Sequence, residues 1–481
     1  MKYKGNVVVG SLSLKFLEQI LTKGTSVVVS IVLARLLAVD DFGVIAILTV
    51  FTGLASAIIE GGLSTSLIQA KNVDDIDYST VFYTSGLLAI GLYGVLYVTA
   101  PFIADYYANP DLCGYLRITG LMLFATPFNA TQLGYVYKNM MFKHLLISTV
   151  SSSLLSGALG IVLAMFGFGV WALVAQTLSA SIISVVLLFV IIPWKPKLLF
   201  SVQCLKMHFS YGWKLLVASI LDTLYIDFQA LIIGKKYSSD KLGYYNRGDL
   251  YPKTLITSLN VAVQTVMFPV MAAEQDNVQS LKNLIRKSVS MSAHILFPIM
   301  AGFAAVGQSF VTIVLTEKWL PCVPYLQLAC LAYAVRPINS CNTQAIKAIG
   351  RSDIFLWLTL IKKTIGFVVI LFTASYFHTP MAIAMGVALY APIELLINAI
   401  PNRKLINYSL KEQFSDIMLP MLASVVMFVL VYAITLLNLN MWLELLLQVI
   451  SGVAIYVVLM VLCKSKTFYE LLDGVKRILK K

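Results

Sequence analysis

Charged side chains interrupt several of the long apolar segments of this sequence, and they are the residues best suited to bind ions or carry protons. If these segments cross a membrane, a charge near the bilayer centre costs about 2.5–3.5 kcal/mol and needs a partner, a water-filled cavity or a route to the surface. Cations could hold an anionic group there: Lys15, Lys23, Lys214 and Arg336. Carboxylates could bind a coupling ion or form charge pairs: Glu18, Glu60, Asp222, Asp227 and Glu394.

The first apolar segment carries a polar stripe. At 100° per residue, seven of its polar side chains fall within an arc of about 140°, and the other side is apolar. These residues are Lys15, Glu18, Gln19, Thr22, Lys23, Ser26 and Ser30. The stripe is expected to face the protein interior and to place the Lys23 cation about two turns inside. Alternatively, Lys15 extends to the membrane surface and pairs with Glu18.

A later segment, near residues 209–233, carries two carboxylates. Lys214, Asp222 and Gln229 share a face within about 80°, while Asp227 points elsewhere. Asp222 could pair with a lysine or carry a coupling proton.

Composition identifies the environment of these segments. Of 481 residues, 59% are hydrophobic and only 12% are charged, against roughly 25% charged in an average soluble domain. A soluble fold of this length could not hide so much apolar surface in one core. The chain is therefore expected to be all-α and polytopic, because helices satisfy their own backbone hydrogen bonds in lipid.

Apolar runs bounded by charges, Pro or Asn predict fourteen transmembrane helices. They lie near residues 14–35, 42–63, 80–101, 115–136, 145–165, 169–192, 209–233, 252–272, 289–308, 323–346, 354–376, 381–400, 414–436 and 442–463. The first, seventh and eighth are the least apolar, so twelve or thirteen spans are the alternative counts. Lys362 and Lys363 are expected at a membrane interface.

Basic residues predict the orientation. With both termini on one side, the segments on that side hold 22 Lys and Arg residues and the opposite loops hold 6. Because basic loops stay in the cytoplasm, both termini are expected to be cytoplasmic. The N-terminus does not resemble a cleaved signal peptide, so the first helix is expected to be retained.

Other classes of function have little support. The basic residues form no face interleaved with aromatics, which argues against nucleic acid as a partner despite a net charge of +13. The six cysteines and four histidines are scattered, so no metal or other cofactor is expected, although a disulfide between Cys113 and Cys322 is open. Asp75-Ile76-Asp77 resembles a glycosyltransferase carboxylate pair, but no loop is long enough to form a donor-binding domain. An enzyme is not expected.

A repeat organises the chain. Residues 34–43 and 234–243 share the same order of residue types. Each begins with a small and a basic residue, continues through a turn that contains Asp, and ends with an apolar residue and Gly. The alternative is chance similarity of two short turns. The repeat predicts two six-helix lobes in parallel, 1–200 and 201–400, related by an axis along the membrane normal. Residues 401–481 would add two helices and a basic cytoplasmic tail.

Several motifs resemble bacterial polysaccharide exporters and O-unit flippases, and most closely the lipopolysaccharide and colanic-acid exporter group of the multidrug/oligosaccharidyl-lipid/polysaccharide superfamily. The motifs are Leu33–Leu37 with Asp41–Gly43, Glu60–Leu63 with Ile68-Gln69, Gly243–Arg247, Phe268-Pro269 and Gly350-Arg351. The resemblance covers about residues 1–400.

The resemblance implies two six-helix lobes around a V-shaped cavity, plus two helices. It also implies that the substrate is an undecaprenyl-diphosphate-linked oligosaccharide, flipped by alternating access for surface polysaccharide assembly. Related flippases use basic residues on the first helix, and Lys23 is the position that corresponds best. Membrane lipids, a polysaccharide polymerase and a chain-length regulator are the implied partners. A cation-coupled multidrug or solute antiporter, which would favour Asp222 and Asp227, and a membrane glycan polymerase are the alternatives.

Overall fold

The computed structural model describes residues 5–60, 62–70, 73–274, 277–437 and 439–479. Across these ranges the chain forms α-helices and three short 3-10 helices, and it contains no strand. The expected all-α polytopic fold is therefore confirmed. The chain divides into two compact units, unit 1 at Met1–Gly243 and unit 2 at Tyr244–Lys481. The boundary predicted near residue 200 concerns the sequence repeat and stays a prediction.

Unit 1 contains nine helices and the start of a tenth. They are α1 (Gly5–Leu36), α2 (Val39–Glu60), α3 (Leu63–Gln69), α4 (Asp75–Tyr106), α5 (Asp111–Gly120), α6 (Thr126–Lys138), α7 (Phe142–Met165), α8 (Val170–Ile191), α9 (Val202–Lys236) and α10 (Ser239–Ala273). A 3-10 turn, Leu121–Phe124, joins α5 to α6. Helix α7 packs against α1 and α8, and α9 packs against α2, α3 and α4.

Unit 2 contains the rest of α10 and nine further helices. They are α11 (Val278–Ala305), α12 (Gly307–Leu315), α13 (Val323–Ala334), α14 (Arg336–Ala348), α15 (Ser352–Tyr376), α16 (Pro380–Ile406), α17 (Leu410–Ala433), α18 (Met441–Leu462) and α19 (Lys466–Leu479). Helix α11 packs against α13, α14 and α17.

Ten helical segments in the described ranges are long and apolar enough to cross a membrane. Their positions match ten of the fourteen predicted spans. The fourth and tenth predicted spans coincide with α5–α6 and α13–α14, each broken into two shorter helices. The seventh and eighth coincide with the long helices α9 and α10, whose polar residues lower their hydropathy. The structure is consistent with fourteen crossings, and ten of them meet the criteria of length and composition.

The two copies of the sequence repeat contact each other within unit 1. A Cβ atom added to Gly43 would lie closer than 3.0 Å to the carbonyl oxygen of Ser239, the first residue of α10. One added to Gly243 would lie equally too close to the carbonyl oxygen of Val39, the first residue of α2. The contact is reciprocal, since residues 39 and 43 correspond to 239 and 243 at the repeat offset. The repeated glycines are needed because backbone meets backbone there.

An ion-pair network joins α11 to α17 in unit 2. Arg286 donates Nε to Asp416 Oδ2 at 2.8 Å and Nη2 to Asp416 Oδ1 at 2.7 Å. Tyr408 donates to the same carboxylate at 2.8 Å. Lys282 pairs with Glu412 at 2.7 Å. Two parallel bonds from one guanidinium hold the two helices in a defined register.

We expect Arg286→Gln to lower the free energy of unfolding by about 1 kcal/mol, because it removes two charge-assisted hydrogen bonds whose arginine is partly screened by solvent. The midpoint of thermal unfolding in detergent measures the loss. Lys287→Gln is the matched control, since the Lys287–Glu470 pair is exposed on both sides, at 57% and 53%. A midpoint for Arg286→Gln no lower than that of the control would contradict the prediction.

All six cysteines are free. Cys322 is buried and Cys113 is partly buried, and no bond joins them. The disulfide left open by the sequence is therefore absent from the structure.

Candidate functional site

The polar stripe of α1 begins with an ion pair. Lys15 Nζ lies 2.7 Å from Glu18 Oε2, and Thr149 of α7 donates to Glu18 Oε1 at 3.0 Å. Glu18 is only 5% exposed. Thr22, one turn further, hydrogen-bonds to Thr149 at 3.3 Å. This part of the stripe connects α1 to α7. Lys15 pairs with Glu18, which is the alternative that the sequence left open. An anion-binding role for Lys15 stays a prediction.

Lys23 differs from Lys15 in its surroundings. Its side chain is exposed, as is that of Ser26 on the same stripe. No carboxylate of the described residues pairs with Lys23, in contrast to Lys15. An exposed ammonium on a helix of membrane-spanning length is free to bind an anionic group.

Part of the predicted site on α9 and α2 lies beyond what the structure describes. The side chains of Lys214 and Asp222 are outside the described residues. Asp227 is half-buried and has an interaction partner, and Glu60 is the last residue of α2. A role for any of them in ion coupling stays a prediction.

Arg336 lies at the break in the tenth predicted span. It is the first residue of α14 and Pro337 is the second, so the helix is interrupted where a backbone N–H is missing. The exposed Arg336 guanidinium stacks on the ring of Tyr333, 4.1 Å from its centroid. Tyr333 in turn donates to Asp249 Oδ1 at 2.5 Å. The aromatic ring holds the guanidinium without neutralising its charge.

Two residues of α10 extend this cluster in unit 2. Lys253 Nζ lies 3.7 Å from Asp249 Oδ2, and its side chain is 44% exposed. Lys253 therefore lies near the Asp249 carboxylate itself, and Arg336 is connected to it through the ring of Tyr333. Asp249 and Lys253 are four residues apart on one helix, a spacing that could have predicted their pairing. Only the packing of α10 against α13 brings Tyr333 to Asp249.

The break at Arg336 has a counterpart in unit 1. Helices α6 and α14 both have 13 residues and both carry Pro at their second position. Thr126-Pro127-Phe128-Asn129 corresponds to Arg336-Pro337-Ile338-Asn339 at an offset of 210. This shared motif was a sequence signal that could have located both breaks. The cation is found only in the second copy.

Glu394 forms an ion pair on the lipid-crossing part of unit 2. Its Oε1 lies 3.5 Å from Lys362 Nζ, whose side chain is only 14% exposed. Tyr390 donates to the carbonyl oxygen of Lys362 at 2.7 Å, which fixes α15 against α16. Lys362 is thus partly buried and paired, and its expected position at a membrane interface stays a prediction.

Arg247 is a buried cation of unit 2. It lies within α10, is 4% exposed and stacks on Trp319 with its guanidinium carbon 5.0 Å from the ring centroid. The guanidinium remains charged.

Each carboxylate of Asp75-Ile76-Asp77 contacts a side chain from another part of unit 1. Asp75 pairs with Lys197 at 2.5 Å. Asp77 lies 3.2 Å from His208 Nε2, and His208 Nδ1 bonds to Ser66 Oγ. Asp77, His208 and Ser66 are all buried. Within the described residues no group of three or more His, Cys, Asp or Glu side chains could hold a metal ion.

Comparisons with solved structures identify the fold. The chain resembles the lipid II flippase MurJ in its inward closed conformation, with a TM-score of 0.76 and 16% identity over 97% of this chain and 100% of that one. It also resembles the inward-facing conformation of a multidrug resistance MATE transporter of the MOP superfamily, with a TM-score of 0.62 and 15% identity over 81% and 96%. At these identities the likeness concerns the fold.

Curated relatives match over most of the chain. The teichuronic acid biosynthesis protein TuaB of Bacillus subtilis (strain 168) is 25% identical over 433 residues, 88% of each chain. The lipopolysaccharide biosynthesis protein WzxC of Escherichia coli (strain K12) is 24% identical over 422 residues, 85% of this chain and 84% of the relative. The succinoglycan biosynthesis transport protein ExoT of Rhizobium meliloti (strain 1021) is 23% identical over 346 residues, 71% and 69%.

The family model "Polysaccharide biosynthesis protein" matches residues 32–324, more than half of the chain. This range includes both copies of the repeat and the candidate cation Lys214, whereas Lys15, Lys23 and Arg336 lie outside it. The chain, a multi-pass membrane protein, therefore belongs to the polysaccharide biosynthesis protein family.

Proposed function

We propose that this protein is a transporter that flips an undecaprenyl-diphosphate-linked oligosaccharide repeat unit across the bacterial inner membrane for surface polysaccharide assembly. The family match, the relatives named for teichuronic acid, lipopolysaccharide and succinoglycan biosynthesis, and the fold shared with a lipid II flippase support this function. The two lobes, 1–200 and 201–400, would expose the substrate site alternately to each side of the membrane.

The observation that carries the proposal is a pair of exposed cations on membrane helices, Lys23 and Arg336. Neither forms an ion pair with a described carboxylate. A pyrophosphate brought into a low-dielectric region needs positive charge nearby, because its interaction with water is lost there. Arg336 can bind two phosphate oxygens with its planar fork, whereas Lys23 acts as a point charge. Lys15 and Lys214 are the other cations proposed to bind substrate in unit 1, and Arg336 is the cation proposed in unit 2.

In the proposed orientation both termini are cytoplasmic, as the distribution of basic residues favours. The Lys15–Glu18 pair, two turns before Lys23, then lies nearer the cytoplasmic end of α1. In this function the protein performs no covalent chemistry and needs no cofactor. A polymerase and a chain-length regulator would receive the flipped unit on the outer side.

Deletion of the gene tests the function. We expect undecaprenyl-linked repeat units to accumulate on the cytoplasmic leaflet, and surface polysaccharide to be lost, with drug sensitivity unchanged. Leaflet position is measured by the access of a membrane-impermeant enzyme or lectin to the oligosaccharide in intact cells and in inverted vesicles. A plasmid copy of the gene is the control, since it should restore export.

Two results would contradict the proposal. Accumulation of repeat units on the outer leaflet would assign the protein to polymerisation. Increased drug sensitivity with normal export would assign it to multidrug antiport.

A further inference from the structure

Buried amide side chains join α14, α16 and α17 in unit 2. Asn402 Nδ2 donates to Asn342 Oδ1 at 2.7 Å, and Asn342 Nδ2 donates to Gln413 Oε1 at 3.1 Å. Gln413 Nε2 donates to the carbonyl oxygens of residues 399 and 408, each at 3.4 Å. Asn342 and Asn402 are 0% exposed, and Gln413 is 5% exposed. This first level of amides is a connected hydrogen-bond network.

A second level of amides lies one helical turn away. Asn339 precedes Asn342 by three residues on α14, and Asn398 precedes Asn402 by four on α16, so each pair shares a helix face. Only α15 separates the two helices in a chain that crosses the membrane back and forth, so α14 and α16 run in the same direction. Asn339 and Asn398 therefore lie on the same side of the bonded pair.

The second level has no hydrogen-bond partners among the described residues. The oxygen and the nitrogen of both Asn339 and Asn398 are buried and unpaired, and so is Asn402 Oδ1. Asn339 is 7% exposed and Asn398 is 0% exposed. Leaving a buried polar group unpaired costs about 1–3 kcal/mol. Because five such atoms lie on adjacent turns of two packed helices, a shared ligand is expected.

The chemistry of the unpaired atoms identifies the ligand. A cation would satisfy only the three oxygens, and an anion would satisfy only the two amide nitrogens. Water donates and accepts, and buried water commonly makes about three hydrogen bonds to such groups. We infer that Asn339, Asn398 and Asn402 bind internal water that forms a hydrated track through unit 2.

The track has two identifiable ends. Gln413, at one end, is in the first turn of α17, which Ser409 and Glu412 cap. At the other end, Glu394 lies four residues before Asn398, on the same face of α16, and pairs with Lys362. Water along the amides would hydrate this partly buried ion pair from the end of unit 2 where α17 begins. In the proposed orientation that end is cytoplasmic, and only this assignment of side depends on the previous section.

Silver-ion labelling of introduced cysteines tests the track. Ag⁺ is small enough to follow water to a thiol and blocks it against later alkylation. The full-length Asn398→Cys protein in nanodiscs is treated with Ag⁺, unfolded and alkylated, and the blocked fraction is measured by peptide mass spectrometry. We expect Cys at 398 to be blocked at least tenfold faster than in the control Ala388→Cys.

The control position is on the same helix and equally buried, since Ala388 is 1% exposed and packs in an apolar cluster. The native Cys330, also 1% exposed, is an internal reference in every variant. Equal blocking rates at 398, 388 and 330 would overturn the inference and make the amides a dry clamp between helices. If Asn398→Cys does not fold, Asn339→Cys on α14 is compared with the same controls. Because no readout involves transport, a failure here is distinct from a failure of the flippase proposal.

Discussion

Arg336→Ala and Lys23→Ala should each abolish surface polysaccharide while the protein remains at normal levels in the membrane. Each substitution removes an exposed cation that is not paired with a described carboxylate, so no compensating acid is left behind in the folded protein. A charged hydrogen bond contributes about 1.5–3 kcal/mol, which corresponds to a roughly ten- to hundredfold loss in the rate of export. Export is measured as cell-surface glycan per unit of protein on a membrane blot.

The conservative variants separate charge from geometry. Lys23→Arg should keep most of the export rate, because a point charge suffices there. Arg336→Lys should keep less, because lysine lacks the planar fork. The matched controls are Lys143→Ala, an exposed lysine at the start of α7, and Arg351→Ala, whose guanidinium is paired with Asp353 at 2.7 Å. Wild-type export in both Lys23→Ala and Arg336→Ala would remove these residues from the mechanism.

Gly43→Ala and Gly243→Ala should each destabilise the folded protein severely. A methyl group at either position would lie closer than 3.0 Å to a backbone carbonyl of the other repeat copy, a distance that real Cβ atoms essentially never show. Because backbone cannot rotate away as a side chain does, the start of α2 or α10 must shift. Overpacking of this kind typically costs about 1–3 kcal/mol and occasionally more.

The yield of monodisperse protein and the midpoint of thermal unfolding measure this effect. Gly53→Ala is the control on the same helix α2, since nothing lies within 4 Å of its added Cβ atom. Removing a glycine from a helix interior there should be neutral or stabilise by about 0.5–1 kcal/mol. If Gly43→Ala behaves like Gly53→Ala, the two repeat copies do not touch in the membrane-embedded protein.

The repeat shows what a local sequence pattern can predict about the structure and what it cannot. The ten-residue similarity placed Gly43 and Gly243 just after a turn, and both glycines lie at close backbone contacts near helix starts. The pattern held no information that the two copies contact each other, because a sequence match states likeness and not distance. The Pro127 and Pro337 breaks were readable in the same way, but the hydropathy windows treated each broken span as continuous.

The charged residues proposed for the site were likewise predictable only in part. Composition and helical period identified Lys15, Lys23, Arg336 and Glu394 as charges within apolar segments. Whether each is paired depended on residues far away in the chain, such as Thr149 beside Glu18 and Lys362 beside Glu394. The buried amides of α14 and α16 were missed for another reason. An asparagine carries no charge to mark it, and its burial is a property of the packed helices.

Composition and local pattern were enough to predict the membrane environment, the helical architecture, the repeat and the set of charges that membrane burial makes costly. These follow from composition and from the period of the helix, which act over a few neighbouring residues. The packing of the helices, in contrast, shows which cations lack an acidic partner and which amide atoms lie unpaired among the described residues, and where the repeat copies meet. Most of these are distances between different helices, and the packing of those helices sets them.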